Sequence, residues 1–180
     1  MTRIVAREIA AHLLFELDFG NRTAEQVMEQ SLTREHFQSL AQEEPLYREF
    51  PNEKQLAYIK ELVKGVYDHE PELDEYISRY AIGWRFSRLP RMAVTVMRCA
   101  MYEVLYMPQV PNAAAINAGL EIAKGYGEPE VVSFINGILG TFVRTELPDS
   151  QDRPAPAAVE ALFEEETAPA DKPDGSETAE

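Results

Sequence analysis

Apolar residues recur along this chain at three- and four-residue intervals, the spacing that lines one face of an α-helix. Ala6, Ile9, Ala10, Leu13 and Leu17 form the first such stripe, and Gly20-Asn21 marks its end. Thr23-x-x-Gln26 has the form of a capping box, each side chain accepting from the other's backbone N–H, and opens a second helix to about Leu32. Residues 33–51 are polar and show no clear period. Pro51-Asn52-x-x-Gln55 opens a third helix with Leu56, Ile59, Val63 and Val66 inward, and His69-Glu70-Pro71 closes it. Pro71 then starts a short helix carrying Leu73, Ile77 and Tyr80.

The longest apolar helix is predicted from about Leu89 to Met107, where Pro108 stops it. Pro111-Asn112 opens the next, ended by Gly125 and Gly127. Pro129 opens the last, with Val132, Ile135, Leu139 and Phe142 on one face. No stretch alternates as a half-buried strand does, and hairpin dipeptides are missing between the apolar runs. An all-α fold of roughly seven helices is expected.

The pattern ends near Pro148. The tail, residues 148–180, is rich in Pro, Ala and Glu and holds few large apolar residues, so it is expected to be disordered, with a short helical turn near Val159–Phe163 as a docking element. Charge is equally uneven. The tail has ten acids and two bases, −8 of the chain's −14, which leaves −6 for the body. A low overall pI therefore says little about the body's surface.

One segment of the body departs from that acidity. WRFSRLPRMAVTVMRCAMY, Trp84 to Tyr102, carries four arginines and no acid, and extension back to Tyr76 adds Arg79 with still no carboxylate. Arg88, Arg91 and Arg98 would share one side of a helix continuing past Pro90. Guanidinium groups grip phosphate through a planar fork and stack on bases, with Tyr80, Trp84, Phe86 and Phe134 as candidate stacking faces. The plainer alternative pairs these arginines with acids on neighbouring helices and lays their stems over apolar surface. Arg3 and Arg7, one helical turn apart near the start of the first helix, pose the same choice between solvated or paired cations and phosphate contacts.

Enzymatic signatures are mostly lacking. His12, His36 and His69 stand on separate elements without the spacing of a helical zinc site, so no metal or cofactor is expected. Gly125-Tyr-Gly127 and Gly137-x-x-Gly140 lack a preceding strand and the Lys-Ser/Thr of a phosphate loop, and read as a helix stop and a close-packing face. The single cysteine, Cys99, excludes an internal disulfide. No apolar run reaches the roughly 20 residues that span a bilayer, and no secretory signal is evident. A cytoplasmic protein is expected.

Ordered motifs add a resemblance. Arg3-x-x-Ala6-Arg7-Glu8, Trp84-x-x-x-Arg88-Leu89, Met97-Arg98-x-Ala100-x-Tyr102-Glu103, Ile116-Asn117, Glu121-x-Ala123-Lys124-x-Tyr126-Gly127 and Phe134-x-Asn136-Gly137-x-Leu139 follow one another. Together they resemble the NusB family of transcription antitermination factors, over roughly residues 1–145. The resemblance implies a non-enzymatic all-helical domain, residues 1–147, of two packed bundles of about 1–70 and 71–147. It implies binding of boxA RNA from ribosomal RNA leader transcripts as a heterodimer with the ribosomal protein NusE, within a complex of NusA, NusG and RNA polymerase. A homodimer is a further possibility. Carried over by position, the RNA-binding residues are Arg3, Arg7, Tyr80, Arg98, Glu130, Phe134 and Asn136, and Phe15 occupies a NusE-facing position.

The chain departs from the family pattern at Ile4, His12, Ala93-Val94 and Ala118, the third of these bearing on the NusE contact. Two other roles remain open: an RNA-targeting helical adaptor, similar to the N-terminal domain of ribosomal RNA cytosine methyltransferases, and a protein-only adaptor. The acidic tail also invites the expectation that it folds back on the basic surface.

Overall fold

The structure, a computed structural model, describes residues 1–148 of the 180; the expectations for the tail beyond them lie outside the described residues. Eight α-helices run in order: α1 (Arg3–Leu17), α2 (Ala24–Ser31), α3 (Arg34–Leu40), α4 (Glu53–Asp68), α5 (Glu70–Tyr80), α6 (Arg91–Tyr106), α7 (Asn112–Tyr126) and α8 (Pro129–Glu146). Short 3₁₀ turns occupy Pro45–Tyr47 and Phe86–Arg88, and no strand occurs among the described residues.

The helix starts follow local chemistry. The expected capping box forms at Thr23 with Gln26, and a second forms at Asn52 with Gln55. Thr2 caps α1 by accepting from the Val5 amide. His69 ends α4 and begins α5 at once, its Nδ1 paired with the Gly65 carbonyl at 2.8 Å. The additional helix, α3, lies in the stretch that showed no period. It has seven residues and buries only Phe37, too little to write a stripe into the sequence.

Helix α6 is the centre of the fold. Every residue from Ala93 to Glu103 is buried, and the helix packs against α1, α4, α5, α7 and α8. Burial all round is why its apolar residues show no polar face. Two close approaches make this possible. At Gly65 a Cβ would stand 1.9 Å from the Tyr102 ring, so α4 meets α6 only because that residue lacks a side chain. At Gly119 a Cβ would stand 3.3 Å from Val96, where α7 crosses α6. Gly137 and Gly140, expected to form a close-packing face, do not: Gly137 has open space beside it, and Gly140 faces only the Arg144 side chain.

The buried apolar residues of all eight helices join one continuous core. The predicted Leu89–Met107 helix is shorter at its start, because Leu89 and Pro90 are extended and α6 begins at Arg91. Arg88 therefore sits in the preceding 3₁₀ turn and does not share a helix with Arg91 and Arg98.

Candidate nucleic-acid interface

Two of the expected RNA contacts are engaged inside the protein. Arg7 is 4% exposed. Its Nε donates to both oxygens of the Glu103 carboxylate, at 3.0 and 2.9 Å, while Nη2 stands 2.8 Å from Oε1. Tyr58 donates to the same carboxylate at 2.6 Å, and the guanidinium lies 5.5 Å from the Tyr58 ring centre. Burial opposes the charge on Arg7, but Glu103 and Tyr58 outweigh it and hold the guanidinium pKa above its ordinary value. Burial together with Glu103 pushes the Tyr58 hydroxyl well up. The trio ties α1, α4 and α6 together.

Arg98 is 8% exposed and sits in a second cluster. Its Nε and Nη2 donate to Asp74 at 2.7 and 2.8 Å, Nη2 also donates to Glu70 at 3.0 Å, and Nη1 lies 3.5 Å from Asp18. Arg91 adds a longer approach of 3.8 Å to Asp18. These groups line a cleft of about 280 Å³ that includes Phe86, Ser87, Leu89 and Val94. The expectation that Arg7 and Arg98 open onto a track for phosphate is thus corrected. Arg7 is locked to a buried carboxylate, and releasing it would strand a buried charge at a cost on the order of 3–5 kcal/mol, whereas Arg98 is held by partly exposed carboxylates that water screens, so its release costs less.

The other expected residues lie elsewhere. Arg3 is half-buried on the first turn of α1, and by helical rise stands about 22 Å from the Asp18 end. Tyr80 is half-buried and donates to Glu146 at the end of α8, which also accepts from Arg79 at 2.9 Å. Phe134 is half-buried under Trp84, ring centres 5.1 Å apart, and Glu130 is exposed one turn before it on α8. Asn136 faces away from this pair, lining a cleft between α7 and α8 with Asn117, Glu121 and Lys124. Phe15 is half-buried against Phe19, ring centres 4.9 Å apart, and Arg91 lies over the Phe19 face.

What the structure does bring together is a line of residues along the α5–α6 connection and α8. Tyr80 packs near Phe142, Ile82 is 87% exposed, and Trp84 is 58% exposed over Phe134. Arg85 and Arg88 follow it in the same segment and are exposed, and among the described residues neither makes an ion pair. Gly83, at φ 84°, supplies the left-handed turn that sets Trp84 outward. Ile82 and Arg85 carry no individual signal in the sequence, whereas Arg88 belongs to the arginine series read there as a candidate for phosphate; the acid-free run from Tyr76 to Tyr102 contains all three.

This surface has the chemistry to hold single-stranded nucleic acid, with two cations for phosphate and an exposed aromatic face for a base. Among the described residues no cluster of His, Cys, Asp and Glu is placed to hold a metal ion. No helix there is long and apolar enough to cross a membrane.

The sequence profile of the NusB family matches residues 5–144. The chain belongs to the NusB family. The transcription antitermination protein NusB of Carboxydothermus hydrogenoformans is 41% identical over 140 residues, 78% of this chain and 91% of that one. NusB of Acetivibrio thermocellus is 33% identical over 147 residues, 82% and 92% of the two chains. A solved structure of T. maritima NusB superposes with a TM-score of 0.65 at 25% identity, covering 89% of this chain and 98% of that one. Membership of NusB makes transcription antitermination the function of this chain at the family level, and the all-helical NusB fold is the one described above.

Proposed function

We propose that this NusB-family chain acts in antitermination by binding boxA-like single-stranded RNA of ribosomal RNA leader transcripts. It does so without catalysis, as one half of a heterodimer with ribosomal protein NusE, in a complex with NusA, NusG and RNA polymerase. The observation that supports this most is Trp84, exposed over Phe134 and followed in the same segment by exposed Arg85 and Arg88, neither in an ion pair among the described residues. A base stacks on the indole, and the two guanidinium groups meet neighbouring phosphates.

In this reading Arg3 meets a more distant part of the strand, Tyr80 and Glu130 border the aromatic pair, and Asn136 takes a base edge at the α7–α8 cleft. Arg7 and Arg98 act at one remove by fixing α1 and α6 against their neighbours. Phe15, with Phe19 and Arg91, forms the face for NusE.

The test is a titration of boxA-like RNA by the full chain, alone and with NusE, for wild type and Trp84→Ala. Stacking is worth about 1–3 kcal/mol per base, so the variant is expected to bind roughly 5–150-fold more weakly. NusE is expected to tighten binding by wild type. Unchanged affinity in Trp84→Ala removes the indole from the site. NusE binding with no affinity for RNA in any form supports a protein-only adaptor instead.

A further inference from the structure

The exposed aromatic and cationic line has a second candidate occupant within the same polypeptide. Helix α8 ends at Glu146, whose carboxylate accepts from Tyr80 and Arg79, so the chain leaves the described body beside the end of α5. Trp84 follows Tyr80 by four residues, a span of at most about 14 Å. The residues that continue from Pro148 therefore set out from one end of the line Tyr80–Ile82–Trp84.

What continues is complementary to that line. Asp149 to Glu180 has ten acids and two bases, and one stretch, Val159-Glu-Ala-Leu-Phe-Glu-Glu-Glu166, sets three large apolar residues before three consecutive glutamates. The surface offers Ile82 at 87% and Trp84 at 58% exposure, with Arg85 and Arg88 exposed in the residues that follow. Fifteen residues separate Pro148 from Phe163, enough for a reach of about 50 Å when extended and about 20 Å as a coil. A tethered segment also meets its site at an effective concentration on the order of millimolar, so weak contacts suffice.

We propose that Val159–Glu166 docks in cis on the Trp84 surface, its apolar residues against Ile82 and Trp84 and Glu164–Glu166 toward Arg85 and Arg88. The acidic segment then takes the place of a phosphate strand. That consequence rests on the RNA reading above, whereas the docking itself does not. It sets a threshold: an RNA that supplies only backbone charge competes with the tethered glutamates, and one that also stacks a base displaces them.

Trp84 is the only tryptophan in the chain, so its fluorescence reports on this surface directly. The full chain is compared with Glu164→Gln/Glu165→Gln/Glu166→Gln and with Arg85→Glu/Arg88→Glu, using the neutral quencher acrylamide at low and high salt. Both variants, and wild type at high salt, are expected to show greater quenching than wild type at low salt. Joining Arg85→Glu/Arg88→Glu to Glu164→Lys/Glu165→Lys/Glu166→Lys is expected to restore protection. Equal quenching in wild type and the three-glutamine variant at low salt overturns the proposal.

Binding of a short uridine-rich RNA is measured in parallel. If the segment covers the surface nine-tenths of the time, the three-glutamine variant binds about tenfold tighter at low salt. A quenching change without any RNA affinity leaves the docking intact and removes the RNA reading. RNA binding without a quenching change does the reverse.

Discussion

Replacing Glu103 with glutamine tests whether Arg7 is a structural cation. Glu103 is 1% exposed and Arg7 is 4% exposed, so their charges sit out of water. Glutamine keeps an oxygen for the Tyr58 hydroxyl and nearly the same volume, but removes the charge that three Arg7 contacts now meet and replaces the second acceptor oxygen with an NH2 donor. An uncompensated buried guanidinium costs about 3–5 kcal/mol. For a chain of 180 residues, at roughly 2–4 °C per kcal/mol, this lowers Tm by about 6–20 °C. Urea unfolding followed by circular dichroism reads the loss as a lower midpoint with an unchanged slope.

The triple replacement Arg7→Met/Tyr58→Phe/Glu103→Leu removes every polar partner together, and is expected to return stability to within about 1 kcal/mol of wild type or above it. If Glu103→Gln unfolds within about 0.5 kcal/mol of wild type, the pair is not a desolvated one and Arg7 is open to an outside anion after all.

Gly65→Ala drives a methyl into the Tyr102 ring and is expected to cost about 1–3 kcal/mol in urea unfolding, partly recovered by Tyr102→Leu. Burial lowers the His12 pKa against the opposing pull of Glu8 and Glu44, so near pH 6 the unfolded chain binds more protons than the folded one. Stability therefore falls as pH drops below the unfolded value of about 6.5, and His12→Gln should flatten that part of the pH–stability curve relative to wild type. Burial also pushes the Cys99 thiol up, which suppresses the thiolate, so a disulfide reagent at pH 8 should label Cys99 only after denaturation.

Punctuation was the most legible part of the fold. Thr23-x-x-Gln26, Asn52-x-x-Gln55 and the prolines at 71, 108 and 129 each stand within a residue or two of a helix end. Helix α3 escaped because one buried phenylalanine in seven residues has no period to detect. At the site, the acid-free segment was legible and the accessibility of its arginines was not. Exposure depends on partners far away in sequence: Arg7 is met by Glu103 and Arg98 by Asp18, Glu70 and Asp74. A partial signal was present. Arg7 precedes Ala11 and Leu14 by four and seven positions, inside an apolar stripe, and Glu103 is the one acid within the predicted Leu89–Met107 helix. An arginine and a glutamate each isolated among apolar neighbours are candidates to find one another.

The complete enclosure of α6 also bears on how the body comes apart. Its amides from Val94 to Glu103 lie under five other helices drawn from both halves of the chain. Loosening one neighbour leaves the rest in place, so deuterium enters this stretch only when the whole assembly opens. The two halves are therefore expected to lose their structure as one cooperative unit, with the slowest-exchanging amides at the seam between them.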